Sequence, residues 1–88
     1  MSYRVIVSPR AERDLERLPK DQAARIAQAL ARLKDDPRPR GSRKLRGRMA
    51  PLWRLRIGDF RALYSVSDRA RLVVVVAVAR RREDTYDA

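Results

Sequence analysis

The sequence predicts an α+β fold: a short N-terminal strand, an antiparallel helical hairpin, then an antiparallel sheet of about three to four strands. Three observations carry that prediction. Apolar residues between Ala11 and Leu33 recur at spacings of three and four, the period of a helix with one buried face. From Trp53 the spacing changes to two, the period of a pleated strand. The run Leu72–Ala79 then supplies eight consecutive apolar residues rich in valine, as a central strand buried on both faces would.

Each element follows from local chemistry. Tyr3, Val5 and Val7 alternate with Arg4 and Ile6, which makes the first strand. Ser8 followed by Pro9 is a helix start, because a hydroxyl caps the free amides and proline at the first helical position has no amide to leave unpaired. Ala11, Leu15 and Leu18 share one face of that helix, and Pro19 ends it. Asp21 is the expected cap of a second helix, in which Ala23, Ile26, Leu30 and Leu33 line one face up to Asp35-Asp36 and Pro37. Residues 37–43 form a basic Pro- and Gly-containing loop, and Lys44-Leu45-Arg46 is expected as a short strand. With no internal repeat and no composition break, the 88 residues are expected to form a single domain, 1–88, around one modest core. Leu15, Ile26, Leu30 and Leu33 should meet the strands there.

The charge separates the two halves. There are 22 Lys plus Arg against 11 Asp plus Glu, and 19 of the 22 are arginine. Residues 1–36 carry a net charge of +2, whereas residues 37–88 carry +9. An excess concentrated in this way predicts a polyanionic partner, most simply nucleic acid. Lysine would make a surface soluble equally well. Arginine presents a planar fork matched to phosphate oxygens, so its dominance favours phosphate binding. A free patch of this charge also predicts an acidic protein partner to cover it.

The hairpin sharpens the inference. With Gly58-Asp59 as a two-residue turn, Ile57 faces Phe60, Arg56 faces Arg61, Leu55 faces Ala62, Arg54 faces Leu63 and Trp53 faces Tyr64. One face is then wholly apolar. The other sets Arg56 directly across from Arg61, with Arg54 two positions along. Like charges directly opposite each other destabilise a sheet by up to roughly 1 kcal/mol. Such an arrangement is accounted for if an anion completes it; a solvated face of splayed, hydrated arginines is the alternative. A second cluster, Arg80-Arg81-Arg82 with Tyr86, follows the valine strand. It reads either as a solubilising tail or as a place where an unpaired base stacks beside its phosphates.

What is missing narrows the chemistry. The chain has no histidine and no cysteine, so the usual acid–base pair of ribonucleases, thiolate chemistry and a Cys/His zinc site are all excluded. Its acidic residues are scattered, so no metal or other cofactor is expected. An enzyme of this composition must act by positioning a reacting phosphate and stabilising its charge. No apolar run is long enough for a membrane span or a signal peptide, and the lack of cysteine fits the cytoplasm.

The motifs KLRG at Lys44–Gly47, WRLRIGDFRALY at Trp53–Tyr64 and RRREDTY at Arg80–Tyr86 resemble the RelE/ParE toxin superfamily of bacterial type II toxin–antitoxin pairs. The resemblance is residue-specific in the C-terminal half and one of pattern in the N-terminal half. It implies the RelE-like fold, a cognate acidic, RelB-like antitoxin, and, in the RelE-like branch, cleavage of mRNA in the ribosomal A site through attack of the ribose 2′-hydroxyl on the adjacent phosphate. By the same resemblance Arg54 and Arg56 activate the 2′-oxygen or hold the phosphate, and Arg61 stabilises the developing negative charge. Arg81, or Arg80 if the strand end slips by one, lies near the leaving 5′-oxygen, and Tyr86 stacks on the substrate. Lys44, Arg46, Arg80 and Arg82 are the further RNA- and phosphate-binding candidates. Two departures stand out: positions 54 and 56 are often lysine in the family, and the pair after the last strand is here Arg-Arg. Both keep the charge and leave proton transfer unassigned, because a guanidinium stays protonated. The ParE-like branch poisons DNA gyrase and needs none of this set, and a catalytically inactive nucleic-acid- or antitoxin-binding module is a third reading.

Overall fold

A computed structural model describes residues 2–80. Strand β1 (Arg4–Val7) leads into helices α1 (Pro9–Glu16) and α2 (Lys20–Ala31), the latter extended by a tight turn at Arg32–Lys34. Strands β2 (Ser42–Lys44), β3 (Trp53–Ile57), β4 (Phe60–Ser67) and β5 (Leu72–Arg80) follow. The α+β class is as the sequence predicts, but the sheet has five strands, in the order β1-β5-β4-β3-β2. The added strand is β1, which lies parallel to β5, with Val5 beside Val73 and Val7 beside Val75. Without it β5, the most valine-rich strand, would present an unpaired apolar edge.

The helix starts differ from each other. Ser8 caps α1 as expected, its Oγ accepting from the Ala11 amide at 3.2 Å. That hydroxyl also donates to the Val76 carbonyl at 3.0 Å, and the Ser8 amide donates to the Val75 carbonyl at 2.9 Å. These bonds fix the start of α1 on β5 where the β4–β5 register slips between Leu63 and Tyr64. Helix α2 begins two residues earlier than the sequence indicates. Pro19 is its N-cap, without a side-chain hydrogen bond, and Asp21 sits inside the first turn, where a negative charge still favours the helix dipole. The strand expected at 44–46 lies at 42–44 instead. There it pairs with β3, while the Leu45 amide already closes the following loop on the Leu52 carbonyl at 2.9 Å.

The core lies between the helices and one face of the sheet. Ala11, Ile26, Leu30, Leu33, Leu55, Ile57, Phe60, Ala62, Tyr64, Val73, Val75 and Val78 are buried together, and Leu15 and Trp53 are half-buried at its margin. The valine strand is not sealed on both faces: Val74 and Val76 are only half-buried. The register slip explains why Val75 and Val78, three apart, both reach the core, since Val76 is the extra residue.

A candidate phosphate-binding face on the sheet

The site is built on the β3–β4 hairpin. Gly58 opens its two-residue turn at φ 59°, a conformation that side chains with a Cβ adopt only under strain. The pairing of the sequence reading holds at every position: Trp53 with Tyr64, Arg54 with Leu63, Leu55 with Ala62, Arg56 with Arg61, and Ile57 with Phe60. Alternation then does the sorting. Leu55, Ile57, Phe60, Ala62 and Tyr64 go into the core, and Arg54, Arg56 and Arg61 to the face away from the helices. Arg56 is exposed, whereas Arg54 and Arg61 are half-buried. This face is amphipathic. Leu63 and Ala77, neighbours across β4 and β5, are each 1% exposed, and the arginines stand at the margin of that apolar row.

Strand β2 brings a residue that sequence reasoning missed. Arg43 lies directly opposite Arg54, on the same face, and is exposed. The face thus holds two directly opposed arginine pairs, Arg56 with Arg61 and Arg43 with Arg54. Nothing in the sequence marked it, since the register is set by the loop closure between Leu45 and Leu52. Counting outward from it gives Lys44 with Trp53 and then Arg43 with Arg54.

The other candidates are placed elsewhere. Lys44 pairs with Trp53, on the helix side of the sheet, and Arg46 precedes the short turn Gly47–Met49. Arg80 pairs with Phe60 and lays its guanidinium over that ring, 5.3 Å from the centroid, which also puts it on the helix side. Arg81, Arg82 and Tyr86 lie outside the described residues.

A different arginine, Arg38, is held where the basic loop meets the sheet. Arg38 grips Asp68 with both terminal nitrogens, at 3.2 and 2.8 Å, and lies over the Trp53 ring at 5.4 Å. The Tyr3 hydroxyl donates to the same carboxylate at 2.6 Å. The hydrogen bond from Arg38, then that from Tyr3, hold the Asp68 carboxyl below its ordinary range, and Asp68 in turn holds the Arg38 guanidinium protonated even more firmly. Beneath them Tyr64, fully buried, donates its hydroxyl to the Pro37 carbonyl at 2.8 Å, and burial raises its phenol above the ordinary value.

The chemistry open to the arginine face is limited and clear. Guanidinium groups fork onto phosphate oxygens and stabilise added negative charge, but they do not take up a proton. Among the described residues no group of His, Cys, Asp or Glu could hold a metal ion, and no helix is long and apolar enough to cross a membrane.

The chain matches a family model described as the ParE toxin of the type II toxin–antitoxin system parDE, over residues 5–85. It is 34% identical over 80 residues to the toxin RelE of Mycobacterium tuberculosis, covering 90% of this chain and 81% of that protein. Its fold superposes on the toxin–antitoxin complex RelBE2 from Mycobacterium tuberculosis with a TM-score of 0.84 and 30% identity, covering 92% of this chain and all of the other. The archaeal RelE–RelB complex from Pyrococcus horikoshii superposes with a TM-score of 0.81 and 30% identity, over 94% and 99% of the two chains.

Proposed function

Because the chain belongs to the ParE toxin family and is a RelE-family toxin of a type II toxin–antitoxin system, we propose that it is a ribosome-dependent, metal-independent mRNA endoribonuclease that inhibits translation in the cytoplasm. The observation that carries this reading is the hairpin register, which sets Arg54, Arg56 and Arg61 together on one face of the sheet. Arg54 and Arg56 hold the scissile phosphate and favour ionisation of the neighbouring 2′-hydroxyl. The 2′-oxygen bonds to phosphorus, the bond from phosphorus to the 5′-oxygen breaks, and the products are a 2′,3′-cyclic phosphate and a 5′-hydroxyl. Arg61 stabilises the negative charge that builds on the phosphoryl oxygens during attack. The family resemblance alone assigns Arg81 to the leaving oxygen and Tyr86 to stacking on a base. The proton of the 2′-hydroxyl goes to water or to a group of the ribosome, and one returns to the 5′-oxygen by the same route, since the guanidinium groups keep theirs. Lys44, Arg46, Arg80 and Arg82 contribute to drawing in the RNA, together with the rest of the +9 of residues 37–88.

The partner that restrains this activity is an acidic, RelB-like antitoxin. The two superposed structures are complexes of RelE with RelB, and the charge of this chain calls for an acidic cover. An amphipathic acidic segment has two places to lie: the arginine face, or beside the helical pair. There a groove of about 510 Å³ between β1 and α2 is lined by Val5, Val7, Leu15 and Leu30 among others. Co-purification from the native operon should yield a complex that loosens as salt rises. Recovery of the free protein alone counts against it.

One observation favours a second reading. The matching family model is that of ParE, and ParE-like toxins act on DNA gyrase. Parallel incubation with translating ribosomes and with gyrase on supercoiled DNA separates the two. Cleaved message with untouched supercoiling supports the ribonuclease; the opposite pattern replaces it with a gyrase poison.

A further inference from the structure

The opposed pair of Arg43 and Arg54 repeats, one strand over, the arrangement of Arg56 and Arg61. The two pairs share β3. Their centres are offset diagonally across it by one strand spacing, ~4.8 Å, and by two residues, ~6.7 Å. That offset lies within the reach of long arginine side chains toward successive phosphates of one extended strand. No position of β2, β3 or β4 is acidic, so nothing on these three strands breaks the positive path. Arg43 is exposed, at the outermost strand of the sheet, where a ligand reaches it without displacing the fold.

From this register we infer that Arg43 and Arg54 form a second phosphate subsite, which holds the phosphate next to the scissile one and sets the direction of a single-stranded RNA across the sheet. The inference rests on the reading of this face as an RNA site. The strand crosses β3 diagonally, from the Arg56–Arg61 pair near the hairpin turn to the edge strand β2. Arg54 stands where the pairs meet and is shared between the two phosphates. Arg43 binds and orients, and touches no reacting atom.

The experiment separates binding from reaction. A short 2′-O-methyl oligoribonucleotide carries the phosphates but lacks the attacking hydroxyl, so its affinity can be followed by fluorescence anisotropy over a range of KCl concentrations. Each phosphate contact on a single strand contributes about 0.7 to the slope of log affinity against log salt. Arg43→Thr should lower the slope by about that amount, while Arg43→Lys, which keeps the charge, should restore it. Arg32→Thr, an exposed arginine of the helical layer, should leave it unchanged. An oligonucleotide with one uncharged methylphosphonate linkage at the subsite should bind parent and Arg43→Thr with equal affinity. Ribosome-dependent cleavage by Arg43→Thr should show a raised KM with kcat near the parent value. If the parent binds and Arg43→Thr keeps the parent slope, the subsite does not exist and the active-site reading stands. A parent that binds no oligoribonucleotide overturns both.

Discussion

Arg38 of the basic loop and the arginines of the β2–β4 face are held in different ways. Arg38 has a carboxylate on one side and an indole beneath it: Asp68 takes both of its terminal nitrogens and Trp53 its flat face. Arg56 and Arg61 face one another across a strand pair, as do Arg43 and Arg54. The first is fastened by a carboxylate and a ring of the fold. The second sets like charges opposite each other, which opposes folding and favours an anion above them. The same residue type thus fastens the basic loop in one place and forms a candidate binding surface in another. What distinguishes the two is the neighbour across the strand or loop, not composition.

That contrast implies that changes on the helix side are read as stability and changes on the arginine face as function. The largest effect belongs to the core. Leu30 is 2% exposed and packs in the shared cluster between helix and sheet. Leu30→Ala should cost about 2–5 kcal/mol, which in a domain of this size lowers the melting temperature by roughly 10 °C or more. A melting curve unchanged by Leu30→Ala would show that α2 does not close the core, and the comparison would lose its stable half.

Arg61→Ala should do the reverse. Loss of one donor to a developing oxyanion lowers rate by ~100- to 1000-fold, readily seen by primer extension on cleaved message. The free protein should melt close to the parent temperature, because the repulsion removed from across the strand pair offsets the contacts that Arg61 makes. If Arg61→Ala cleaves like the parent, or melts several degrees lower, the arginine face is a structural feature and the distinction collapses.

How much of this was legible beforehand depends on how local each feature is. The β3–β4 hairpin could be read residue by residue, because a Gly at the turn and strict alternation on both arms leave one register. Arg54, Arg56 and Arg61 came with it. The place of β1 was not legible, because a four-residue strand carries no mark of its partner, and its partner in β5 is nearly seventy residues away. The bulge at Val76 was hidden in a run of valines that fits any register equally well. Arg43 was missed because β2 was expected two residues later, among the basic residues of the KLRG motif, where no turn signal fixes its position. The clamp on Arg38 joins residues 3, 38, 53 and 68, which no periodicity links.

Tyr64 joins the core to that clamp and tests it with a smaller effect. Its hydroxyl donates to the Pro37 carbonyl, just before Arg38, and both residues are buried. Tyr64→Phe keeps the ring and leaves the carbonyl without its donor, at a cost of about 1–3 kcal/mol. Urea unfolding should show a lower midpoint with an unchanged slope. RNA affinity of the folded protein should hold, since the ring stays and the arginine face is on the opposite side of the sheet.

The smallest effect, and the one that isolates the clamp, is the pH dependence carried by Asp68. Its carboxyl is held below the ordinary range in the folded chain by the hydrogen bonds from Arg38 and Tyr3. The folded state therefore prefers the charged form more than the unfolded chain does. The stabilisation is fully present above the unfolded carboxylate value of ~3.9 and is lost as pH falls through the lower folded value. Asp68→Asn cannot take up the charge at any pH, so it should melt below the parent at pH 7, and the gap should narrow steadily on acidification below about pH 4. The group is exposed, so added salt should shrink the gap as well, by screening the ion pair. RNA binding should be unaffected, because the clamp and the arginine pairs have no residue in common. A gap that widens in acid would mean that Asp68 is strained rather than stabilised by its neighbours. No gap at neutral pH would mean that the Trp53 ring alone holds Arg38 in place, and that the carboxylate is not what separates this arginine from those of the open face.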